Sequence, residues 1–108
     1  MYENKGDIAK LEVLMLDIRE GRVSRNKNYY TLARAKEYHR FKRAKLLLSL
    51  VEDLERTVLV PGNQISTSHE EGCVEVFLHD PALKYNRRVI LSEEELDLIR
   101  QETKIALN

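Results

Sequence analysis

The chain has 108 residues, 43% hydrophobic and 33% charged, about one domain's worth of sequence with room for a single modest core. That balance is too apolar for a disordered tail and too highly charged to favour a small enzyme with a deep pocket. Lys plus Arg and Asp plus Glu stand at 18 each, so the whole molecule offers no bulk charge to a distant polyanion and any electrostatic argument is local.

From Asp7 to Glu20, Ile8, Leu11, Leu14, Met15 and Ile18 recur at three- and four-residue steps, which predicts an amphipathic helix with Asp7 as N-cap and Gly21 as its stop. The residues between Gly21 and Asn28 are polar and read as a connecting loop. A long helix over about 28–57 follows, because from Tyr29 to Arg56 there is no Gly or Pro and good helix formers dominate.

On a helical wheel this second helix has two characters. Tyr30, Ala33, Phe41, Ala44, Leu48 and Val51 form one apolar stripe, and Leu46, Leu47, Leu50 and Leu54 widen it to roughly 200° in the C-terminal half, which is therefore expected in the core. In the N-terminal half the stripe stays narrow, bordered by Arg34, Lys42 and Lys45 on one side and by Lys36, Arg40 and Arg43 on the other. A helix of this predicted length, roughly 42 Å, exceeds the span of a compact domain whose radius of gyration is near 13 Å. The basic half is thus expected to project, and its seam of Tyr30, Ala33, Phe41 and Ala44 to pair with a second copy as a homodimer.

After Thr57 the pattern turns to period two and β-branched residues. Val58, Leu59 and Val60 read as the first strand residues before a Pro61-Gly62 turn. Gln64–Ser68 and Cys73–Leu78 read as a hairpin across Glu70, Glu71 and Gly72, with Ile65, Val74, Val76 and Leu78 facing inward. A loop from His79 to Asn86 then leads to a strand at Arg88–Leu91. Ser92 with Glu95 makes a capping box for a last helix over about 93–107 that carries Leu96, Ile99, Ile105 and Leu107. The fold class is α+β: an N-terminal helix and one long helix, a small antiparallel β-meander of three to four short strands over 58–91, and a C-terminal helix, in a single domain spanning 1–108.

Between Arg22 and Lys45 lie nine basic residues against the single acid Glu37, a local net charge of +8 that the remaining residues must balance. Arg25, Lys27, Arg34, Lys36, Arg40, Lys42, Arg43 and Lys45 suit the phosphates of a nucleic acid or an acidic protein partner, and Tyr38, with Tyr29 and Tyr30, could stack on unpaired bases. The competing reading is a solvated helix whose cations pair with acids of the first or last helix. Docking on anionic lipid is a weaker alternative, because the seam is Ala-rich and lacks Trp.

No residue pattern points to catalysis, a metal or a cofactor. His69 flanks the hairpin turn and His79 lies at the far end of the next strand, roughly 20 Å apart at normal strand rise. His79 and Asp80 have no nucleophile or phosphate loop beside them and read as a turn start at Asp80-Pro81. Cys73 is the single cysteine, which rules out an internal disulfide and favours a reducing, cytoplasmic setting; His69 is its one nearby candidate base. Glu93, Glu94 and Glu95 suit a helix N-terminus. No window reaches the roughly 18 apolar residues of a membrane span. The leading expectation is a small binding or regulatory module, with an assembly subunit as the alternative and an enzyme third.

Overall fold

A computed structural model describes residues 5–22, 35–103, 105 and 107. Its elements are α1 (Lys5–Arg19), α2 (Ala35–Val58), β1 (Gln64–Glu70), β2 (Cys73–Asp80), β3 (Tyr85–Ser92) and α3 (Glu93–Thr103). The class is α+β: helices first, an antiparallel β1-β2-β3 meander, and a C-terminal helix. The chain divides into two compact units, Met1–Ser49 and Leu50–Asn108.

In the first unit, α1 buries Leu11, Met15 and Ile18, one residue per turn along one face. Asp7 lies within the helix, which already begins at Lys5, so it is not the N-cap that the sequence suggests. Gly21 does stop the helix. Its φ of 80° allows the amide of Arg22 to reach the Asp17 carbonyl at 2.8 Å while its own amide reaches Ile18 at 3.2 Å, the paired closure of a Schellman turn.

Helix α2 is described from Ala35 to Val58, and the predicted start near residue 28 lies outside the described residues. Its end corrects the sequence reading: Val58 is the last helical residue, and Leu59 and Val60 are not strand. Their amides bond back to the carbonyls of Arg56 and Thr57 at 3.2 and 3.3 Å, prolonging the helical path. A turn over Val60-Pro61-Gly62-Asn63 then closes with Asn63 N–H on the Val60 carbonyl at 3.2 Å and Gly62 at φ 91°, the backbone a type II turn demands of its third residue. With no strand partner before this turn, β-branching alone does not make residues 58–60 extended, and pairing begins at Gln64.

The second unit is built on the sheet. Val74, Val76 and Leu78 of β2 share one face with Val89 and Leu91 of β3, matched as Val74↔Leu91 and Val76↔Val89, and all are buried. Helix α3 packs on β2 and β3. Leu96, Leu98, Ile99 and Leu107 are buried, as are Leu50, Val51 and Leu54 from the end of α2. The second hairpin is tighter than the sequence suggests. Asp80 pairs with Tyr85, and the loop shrinks to four residues because the Asp80 carboxylate accepts the Leu83 amide at 3.1 Å and Lys84 takes a left-handed φ of 54°. Strand β3 consequently starts at Tyr85, three residues before the expected Arg88.

The capping box forms as expected: Glu95 N–H donates to Ser92 Oγ at 3.1 Å and Ser92 N–H to Glu95 Oε1 at 2.9 Å, both residues being buried. Ser92→Ala is expected to cost about 1 kcal/mol in urea unfolding, and an unchanged midpoint would show the box to be dispensable. Helix α3 ends at Thr103 rather than continuing to 107. The Thr103 hydroxyl turns back onto the Ile99 carbonyl at 2.9 Å and accepts the Ile105 amide at 3.2 Å, while Arg100 Nε donates to the Leu107 carbonyl at 2.9 Å.

Candidate functional site

Burial along α2 decides which face its basic half presents. Phe41, Ala44, Leu47, Leu48 and Val51 are buried, whereas His39 and Lys42 are exposed and Arg40, Arg43 and Lys45 are half-buried. At about 100° per residue, Lys45, Lys42, His39 and Arg43 follow one another around roughly 160° of the circumference, from Lys45 next to Phe41 round to Arg43 next to Leu47. Arg40 falls inside the buried arc, between Leu47 and Val51. Lys42 and Lys45 thus border the buried stripe on one side and Arg43 on the other, with His39 between them completing the basic arc. No acidic residue occurs between Glu37 and Glu52 to neutralise it from within the helix.

Arg40, Lys42, Arg43 and Lys45 each also engage a group within the chain. Lys45 Nζ lies 5.6 Å from the centroid of the Phe41 ring, one helical turn away. At the N-terminal end of the basic run, Arg22 is taken up by α1, with Nε donating to Asp17 Oδ1 at 2.9 Å and Nη1 to Glu20. These bonds, that to Asp17 foremost and that to Glu20 next, hold the exposed guanidinium above its ordinary pKa. Neutralisation by the first helix therefore occurs at Arg22. Arg25, Lys27, Arg34, Tyr30 and Ala33 lie outside the described residues, and Lys36 and Tyr38 are placed on the α2 backbone alone.

The expected dimer seam is altered by the same burial. Phe41 and Ala44 are 0% exposed within a single chain, so their side chains have no surface left for a second copy.

The sheet separates the other candidates. Residues directly opposite share a face, so His69, across from Val74, and His79, across from Gln64 and in line with Phe77, lie on opposite faces. His69 Nδ1 instead approaches Glu93 Oε1 at 3.4 Å. Cys73, across from Glu70, faces away from His69, which removes that imidazole as its base. His79 bonds Asn86 and stacks on Phe77, with centroids 6.1 Å apart and planes 10° from parallel, while Arg88 Cζ sits 5.1 Å from the same ring and Nε 3.8 Å from Glu75. Among the described residues no group of three or more His, Cys, Asp or Glu could hold a metal ion. No helix there is long and apolar enough to cross a membrane.

One buried polar cluster escapes the sequence reading. Asp53, on α2 beside Leu50 and Leu54, is ion-paired with Arg87 of β3 and Arg56, and accepts the Tyr85 hydroxyl at 3.4 Å. Its side chain is 8% exposed and that of Arg87 is 19% exposed, so this ion pair sits in the interior of the second unit. The signal was visible: Arg87 shares the inner-facing parity of Val89 and Leu91, and an inward Arg needs a carboxylate. The cluster fastens the helix end to the sheet within the second unit. No family model, no curated protein and no solved structure matches this chain.

Proposed function

We propose that the protein is a non-catalytic binding module that contacts nucleic acid through the basic face of α2. The observation that carries this reading is the arc of Lys45, Lys42, His39 and Arg43, which covers the part of the helix circumference that the buried Phe41, Ala44 and Leu47 leave open at that level of α2. Such a face can sit along a phosphate backbone, with the protein's interior left undisturbed behind it. The charge is local, so attraction acts at contact distance rather than by long-range steering.

The test is fluorescence anisotropy with mixed-sequence single- and double-stranded oligonucleotides over a salt series. Affinity should fall as salt rises, with a logarithmic slope near −3 for three to four phosphates on duplex. The double variant Lys42→Ala, Arg43→Ala should weaken binding about tenfold and flatten that slope by one to two. Absence of binding at low salt would end the nucleic-acid reading and leave an acidic protein as the partner to test.

A further inference from the structure

Helix α1 has a second apolar stripe. Leu11, Met15 and Ile18 are consumed by the chain's own interior, but on the opposite side Ala9 is exposed, Val13 is 58% exposed and Leu16 is 43% exposed. These three are spaced four and three residues apart, the alternation of a coiled-coil seam, with Ala9 and Leu16 one heptad apart. Leu16 and Val13 are thus an exposed apolar pair one turn apart on the face opposite the buried stripe.

The charges beside this stripe say what covers it. Lys10 and Asp17 flank it on one side, each following a seam residue; Glu12, just before Val13, and Arg19, one heptad further on, flank it on the other. Each flank therefore carries one cation and one anion, seven residues apart. In an antiparallel pair, like flanks face each other across the seam. With Val13 of one copy set against Leu16 of the other, Lys10 meets Asp17 and Glu12 meets Arg19, and the two-fold axis repeats both pairs, making four attractive contacts. The stripe ends at Glu20, which then falls opposite Ala9 and beside Lys10 of the second copy. In a parallel pair, opposite flanks meet, and Glu12 faces Asp17 twice.

We infer that α1 is a self-association surface, and that its partner is the α1 of a second copy packed antiparallel. Asp17 already accepts the Arg22 guanidinium at 2.9 Å, so Lys10 of the second copy extends that pair into a network rather than creating an isolated one. A 15-residue helix is roughly 22 Å long, which buries less than a standard interface of about 800 Å² per partner. The dimer is therefore weak, exchanging with monomer at micromolar concentrations.

Sedimentation equilibrium of the full chain from about 5 to 500 µM tests this. The average mass should climb from one chain toward two. Leu16→Lys, at a side chain already in solvent, should hold the mass at one chain with unchanged helical circular dichroism. Glu12→Lys discriminates the orientation: it sets a cation against Arg19 in the antiparallel pair and should raise the dissociation constant about tenfold, whereas in a parallel pair it would meet Asp17 and tighten the dimer. Adding Arg19→Glu to Glu12→Lys should restore wild-type association. A mass of one chain throughout, a dimer indifferent to Leu16→Lys, or tightening by Glu12→Lys would each overturn the inference.

Discussion

Asp53→Ala is expected to lower the unfolding free energy by about 3 kcal/mol in urea titrations followed by circular dichroism. The substitution removes the carboxylate that faces Arg87, whose side chain is only 19% exposed, and leaves a guanidinium in the interior without its counter-charge. Arg56 contributes little to the cost, because its side chain is 74% exposed and returns to water when the pair is broken. The Tyr85 hydroxyl likewise loses a 3.4 Å contact but belongs to an exposed residue. Most of the loss is therefore the cost of a part-buried guanidinium that has lost the Asp53 carboxylate, and not the Coulomb energy of the pair itself. That distinction is measurable. Asp53→Leu combined with Arg87→Met removes both charges, keeps most of the volume, and should recover all but about 1 kcal/mol. A loss below 1 kcal/mol for Asp53→Ala alone would mean that water reaches Arg87 freely and that the cluster does not hold the helix end on β3.

The cluster also marks the boundary of what the sequence made legible. Features governed by neighbours within a turn were readable: the buried spacing of Leu11, Met15 and Ile18, the stop at Gly21, the reciprocal bonds of Ser92 and Glu95, and the alternating inner face of β2. Each depends on contacts a few residues apart, which local chemistry dictates. Asp53 and Arg87 are 34 residues apart, and although the parity of β3 turns Arg87 inward, no local pattern names Asp53 as its partner. The extended reading of Val58 to Val60 failed for a related reason, because a β-branched run becomes strand only when a partner strand lies beside it.

For the candidate site, the concentration of charge was plain in the sequence, but its face was not. Placing Arg43 with Arg40 or with Lys42 depends on which arc of α2 the core takes. The burial of Leu47 and Val51 along with Phe41 puts Arg40 inside that arc and leaves Arg43 at its edge, next to Leu47. The apolar residues of α1 carried the converse ambiguity. Helical spacing identified the stripe that became core, and the exposed pair Val13 and Leu16 stood out only once that first stripe was known to be occupied.

Phe41→Ala is expected to destabilise the protein by about 3 to 4 kcal/mol, since the ring is among the largest fully buried side chains and its removal leaves a cavity in addition to the lost transfer energy. It also removes the ring over which Lys45 Nζ lies at 5.6 Å. Phe41→Leu retains much of the volume and should cost only about 1 kcal/mol. The pair of variants separates a core residue from a dimer-seam residue. If Phe41 belonged to an interface on α2, both changes would lower the average mass at high protein concentration while leaving the unfolding free energy at 5 µM almost untouched. As a core residue it should do the reverse: unfolding shifts at every concentration, and Phe41→Leu associates as the wild type does. A loss under 1 kcal/mol for Phe41→Ala, together with a monomeric mass at 500 µM, would return the self-association surface to α2.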